Sequence, residues 1–135
     1  MAERDPDHWL YRLTAEEWLR AATAELARAD EALAHKQQRA GVTQARRAAG
    51  MAWNAVLVVT SDETGYGRSY MEHVQALAKD EAAPAEVRAA SSALAGAPLQ
   101  SAVVTLGRGD TSLARAAETI ARYAAELVER RKTPS

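Results

Sequence analysis

The chain lacks cysteine altogether, which excludes disulfide bridges and zinc–thiolate centres. It also lacks a charge excess of one sign. Seventeen basic residues stand against 18 acidic ones, a formal net charge of −1, and that balance argues against the broad basic face of a nucleic-acid binder. Long apolar runs are missing too. The longest strictly apolar stretch is Ala55 to Val59, far short of the ~20 residues that a membrane span needs. The first seven residues, Met1 to Asp7, are mostly charged and have no apolar stretch behind them, so neither a secretory signal nor an anchor is expected there, and a cytoplasmic protein is. Large aliphatic side chains are scarce: leucine, isoleucine, valine and phenylalanine together supply only 22 of the 135 residues.

What the chain has in abundance is alanine, 32 residues of it. So low an aliphatic content would suit a disordered chain if the net charge were high, but here the charges cancel and collapse is unopposed. One compact helical domain with a core of small residues is expected.

Helix signals follow one another along the chain. Thr14 and Glu17 have the spacing of a capping box, and Trp18, Ala22, Leu26, Ala29 and Leu33 recur at steps of three and four, with Glu16, Glu25, Arg28 and Glu31 on a solvated back. A first helix over 14–38 is predicted, ending before Gly41. The second, over 42–59, changes character halfway: residues 48–59 contain no charge, and a helix apolar on every side is buried on every side. The alternative for Val56 to Val59 is a short buried strand, but no alternating strands lie nearby to pair with it. Ser69 and Glu72 repeat the capping pattern and open a third helix over 69–80, with Met71, Val74 and Leu77 inward. Pro84 suits a first helical position, so a fourth helix covers 84–96. Residues 99–109 favour extended structure. Asp110 or Thr111 caps a last helix over 111–131, whose seam is Leu113, Ala117, Ile120, Ala124 and Leu127. Arg130, Arg131 and Lys132 end it, where positive charge suits the helix dipole.

Residues 48–57, with alanines interleaved among large apolar side chains, the short helix over 71–77 containing His73, and the last helix over 114–127 together resemble the HEPN family of small helical bundles. The resemblance spans about Ala15 to Arg131 and rests on order and spacing. It implies an all-α, up-and-down bundle of four or five helices that often dimerises. Family members include RNA-cleaving toxins, partners of small nucleotidyltransferases, and modules that bind nucleotides or nucleic acids. The ribonuclease members carry arginine, four to six residues, then histidine near the start of the last long helix. In this chain that segment has Arg108 with no histidine at the required distance.

The same spacing does occur elsewhere, from Arg68 to His73. Five residues are ~140° round a helix, so convergence on one phosphate requires Arg68 to precede the helix, with Ser69 as its cap. An arginine that neutralises phosphate and an imidazole that moves a proton would then suit metal-independent RNA cleavage. The structural alternative is a histidine that hydrogen-bonds and closes the loop. Asn54 is the one strongly polar side chain in the charge-free stretch, and a buried amide must either bond a facing group or line a wet pocket. Trp9, Tyr11 and Trp18 cluster near the start, where they would staple the N-terminal segment to the bundle; stacking on bases is the functional alternative. Asp62, Glu63 and His73 could meet at a metal, but no ligand spacing supports that, so no metal site and no cofactor is expected.

These readings add up to a non-enzymatic binding or interaction module, acting as a homodimer because a thin core gains from burial against a second copy. Any small ligand would sit at the loop between the second and third helices, walled by Tyr66, Arg68, Tyr70 and His73, with Asn54 beneath. The rivals are an endoribonuclease using Arg68 and His73, and an accessory subunit of a nucleotidyltransferase.

Overall fold

The computed structural model describes residues 9–60, 69–99 and 109–132. They form an all-α bundle: a 3-10 turn at Trp9–Arg12, then α1 (Ala15–Ala34), α2 (Gln38–Thr60), α3 (Tyr70–Lys79), α4 (Ala85–Ala95) and α5 (Ser112–Lys132). The segment expected to be extended, 99–109, and the connection after Thr60 fall for the most part outside the described residues.

The capping chemistry predicted for α1 is present in full. The Thr14 hydroxyl accepts from the Glu17 N–H at 3.1 Å, and the Glu17 carboxylate accepts from the Thr14 N–H at 2.9 Å. Ser69 caps α3 by accepting from the Glu72 N–H at 3.1 Å. At the start of α5 the Asp110 carboxylate accepts from the Ser112 N–H at 2.9 Å. Pro84 is the cap of α4 and not its first residue, consistent with its extended ψ.

The break between the first two helices falls earlier than the sequence suggested. α1 ends at Ala34, and Lys36 takes the left-handed conformation, φ 61°, that turns the chain. Gly41, read as the breaker, lies inside α2, where its missing Cβ admits the Leu33 side chain. Two ties hold this corner against later parts of the chain: the Gly109 N–H donates to the Ala34 carbonyl at 3.0 Å, and the Gln38 amide donates to the Pro98 carbonyl at 3.1 Å.

α2 is the central element and touches all four other helices. Its charge-free half is wrapped as expected, with Ala48, Ala49, Gly50 and every residue from Ala52 to Val58 buried. The stretch Val56 to Val59 continues the helix. Half of the buried apolar residues are alanines, so the helices approach closely and each contributes little area; the large buried side chains, Trp18, Trp53, Leu57, Leu77, Leu94 and Ile120, punctuate this small-residue core. Trp18 donates its indole N–H to the Leu10 carbonyl at 2.9 Å, which ties the 3-10 turn down; the side chains of Trp9 and Tyr11 lie outside the described set.

Two faces differ from expectation. Glu25, assigned to the solvated back of α1, is 5% exposed. Its carboxylate lies 3.5 Å from Arg28 and 3.6 Å from Arg47, and these two guanidinium groups make burial of the charge tolerable. Leu26, assigned to the seam, is only partly buried. On α5 the fully buried residues are Ala114, Ala117, Ile120, Ala124 and Val128, with Leu113 and Leu127 flanking them, because the seam runs one residue further on at both ends.

α4 is fastened by a long-range contact. Arg46 reaches from α2 and donates through Nε to the Leu94 carbonyl at 2.8 Å, and through one terminal nitrogen to the carbonyls of Ala95 at 3.3 Å and Ala97 at 2.9 Å. A helix C-terminus leaves such carbonyls without intrahelical partners and carries partial negative charge, so a guanidinium satisfies both needs.

Candidate functional site

Of the five residues expected to wall a ligand site, Tyr66 and Arg68 lie outside the described residues, as do Asp62 and Glu63. The other three meet where α3 packs on α2. Tyr70, the first residue of α3, lies directly on the α2 backbone at Gly50, where a Cβ would run into the ring. Burial raises its hydroxyl pKa, Arg47 opposes the rise and Glu25 adds to it. One turn later His73 is wholly buried, and its ring donates through Nε2 to Asn54 Oδ1 at 2.8 Å. Asn54 is equally buried, and its amide nitrogen has no hydrogen-bond partner among the described residues.

This pair is an interior fixture. Neither member presents an atom to solvent. The chemical consequence is that one imidazole nitrogen, Nε2, is engaged by an amide in a buried contact between two helices.

A concave surface with mixed chemistry and an aromatic floor lies at another part of the molecule, where the C-terminal halves of α2 and α5 meet the end of α3. A cavity of about 330 Å³ opens there, lined by Trp53, Val56, Leu57, Thr60, Asp80, Tyr123, Leu127 and Arg131. Trp53, Val56 and Leu57 are buried and make its floor. The Trp53 and Tyr123 rings are offset-stacked, with centroids 6.0 Å apart and planes 16° from parallel. Thr60 turns its hydroxyl back on the Leu57 carbonyl at 3.4 Å, and Asp80 caps the end of α3 while its carboxylate accepts from the Ala82 N–H at 2.9 Å. Arg131, exposed on α5, also lines the cavity. The Tyr123 hydroxyl is held above its ordinary pKa by burial first, then by the nearby Asp80 carboxylate; Arg130 opposes this and Glu126 adds to it.

An apolar floor with a few convergent polar groups is the usual make-up of a small-molecule site, and 330 Å³ is at the small end of the ~300–1,000 Å³ such sites occupy. Reading the sequence for function assigned none of these residues to a ligand site. Tyr123 stands alone among alanines on the last helix, next to the seam, and that isolation was the available signal; Asp80 read as a helix stop and Arg131 as a complement to the helix dipole.

Among the described residues no cluster of three or more histidine, aspartate or glutamate side chains is placed to hold a metal ion, and no helix is long and apolar enough to cross a membrane. No family model matches the chain, and neither a curated protein nor a solved structure matches it.

Proposed function

We propose that this chain is a non-enzymatic, HEPN-like binding module of the cytoplasm, and that its ligand-facing part is the aromatic-floored cavity between the ends of α2, α3 and α5. The observation that carries this reading is the contrast between two places in the fold. At the cavity, stacked rings, a carboxylate and a guanidinium converge on a space open to solvent. At the α2–α3 contact, His73 is buried and hydrogen-bonded to Asn54, which speaks for a structural part for that histidine. The order of two long helices, two short ones and a long last one supports the HEPN-like assignment.

The test is a screen of small, partly apolar molecules against the isotope-labelled chain by two-dimensional NMR. Shifts confined to the Trp53 indole, Thr60, Asp80, Tyr123 and Leu127 support the reading. Incubation with total or transfer RNA is the opposing arm: cleavage that a His73→Ala variant abolishes while remaining folded overturns it in favour of an endoribonuclease. The module is further proposed to act as a homodimer, because an alanine-dominated core leaves a single copy short of apolar burial. Light scattering that reads one chain per particle at micromolar concentration refutes that part alone.

A further inference from the structure

We infer that the cavity between α2, α3 and α5 selects a small organic cation, an ammonium group carried on an apolar body. The inference rests on the binding-module reading and deepens it by naming the ligand's charge.

Three independent features point the same way. First, the residues that line the cavity include the last residue of α2, Thr60, the cap of α3, Asp80, and Arg131 in the last turn of α5. The last residues of three helices therefore border one space. Each such end carries the equivalent of about half a negative charge, felt within the final turn, which favours a cation close to it. Secondly, the Asp80 carboxylate stands at the rim and is close enough to Tyr123 to act on its hydroxyl. Thirdly, the half-buried Tyr123 lines the cavity, stacked on the buried Trp53 of its floor. The face of such a ring is negative and attracts a cation within ~6 Å of its centre.

The opposing charges are Arg131 at the rim, Arg130 beside it and, on the favourable side, Glu126. Arg131 is long and exposed, so it can swing towards water while the ligand's ammonium group stays near the α3 end and the apolar body lies on Leu57 and Leu127. An anion bound in the same orientation would meet three helix C-termini and a carboxylate.

The experiment titrates the full chain, followed by two-dimensional NMR, with three probes of the same shape: 2-phenylethylammonium, 3-phenylpropionate and 2-phenylethanol. The ammonium is expected to bind about tenfold more tightly than either of the others, with shifts at Trp53, Thr60, Asp80 and Tyr123. Asp80→Asn is expected to weaken the ammonium about fivefold and to leave the alcohol unchanged; its side-chain oxygen still accepts from the Ala82 N–H, so the end of α3 is kept. Arg131→Gln, an exposed substitution that leaves the core untouched, is expected to strengthen ammonium binding. Equal affinities for the three probes, or a preference for the carboxylate, overturn the inference while leaving the cavity a ligand site. Absence of any shift at these residues with all three probes at millimolar concentration overturns the binding-module reading itself, and the inference with it.

Discussion

The buried contact between Asn54 and His73 can be tested by a double-mutant cycle. Both residues are fully buried, and the Oδ1 to Nε2 distance is 2.8 Å. Asn54→Leu strands the imidazole N–H, at ~1–3 kcal/mol, but it also removes an amide nitrogen that has no partner among the described residues, so its net cost is expected at about 0–2 kcal/mol. His73→Leu is the harsher change. It leaves both polar atoms of the Asn54 amide unpaired in the core, and about 2–4 kcal/mol is expected. The double variant strands neither, so it should be less destabilised than the sum of the singles by ~1–2 kcal/mol. Urea unfolding followed by far-UV circular dichroism reads the difference; with a slope of roughly 1–3 kcal/mol per molar for a small domain, the His73→Leu midpoint should fall by about 1 M or more. Costs that add to within ~0.5 kcal/mol would mean the two side chains do not act on each other, and the sealed-histidine reasoning would fail.

Three further outcomes follow from the bundle's fastenings. Arg46→Met should cost about 2–3 kcal/mol, because three carbonyls at the end of α4 lose a charged donor, with Arg46→Lys recovering part of it; urea unfolding reads both, and a cost under ~0.5 kcal/mol contradicts the fastening. Gly109→Ala should cost about 1–3 kcal/mol, read as a drop in melting temperature, since the added methyl runs into the Leu33 carbonyl oxygen; an unchanged melting temperature would show that this approach is not tight. The Glu17 pKa is lowered by its hydrogen bonds with the Thr14 backbone and hydroxyl, so its contribution is present above the ordinary glutamate value and lost as the pH falls through the depressed one. The melting-temperature gap between the wild type and Glu17→Ala should therefore shrink below about pH 4, and a gap that stays constant from pH 6 to pH 3 counts against the cap.

Periodicity and caps located the helices because each rests on neighbours three or four residues away. The all-helical bundle, the buried centre of α2 and the caps at Thr14 and Ser69 are of this kind. The turn at Lys36 was not legible, because a lysine in the left-handed region gives no signal, whereas Gly41, which looked like a stop, serves to admit Leu33. Glu25 read as solvated because, beside the local Arg28, its second arginine neighbour, Arg47, is visible only once α1 and α2 are paired. Asn54 stood out as a polar residue needing a partner, but which residue answered it depended on how α3 docks. The cavity was hidden for the same reason at longer range: Trp53 and Tyr123 are 70 positions apart, and their stacking is a product of packing.

The ties at the α1–α2 corner have a consequence for how the chain can vary. Pro98 and Gly109 are each moored to residues 34–38, so the stretch between them begins and finishes at neighbouring stanchions. Added length there need not be transmitted to the helices on either side, and doubling the span raises the closure cost by only ~0.6 kcal/mol. A tag or a reporter inserted between Pro98 and Gly109 is therefore expected to leave the five helices in place.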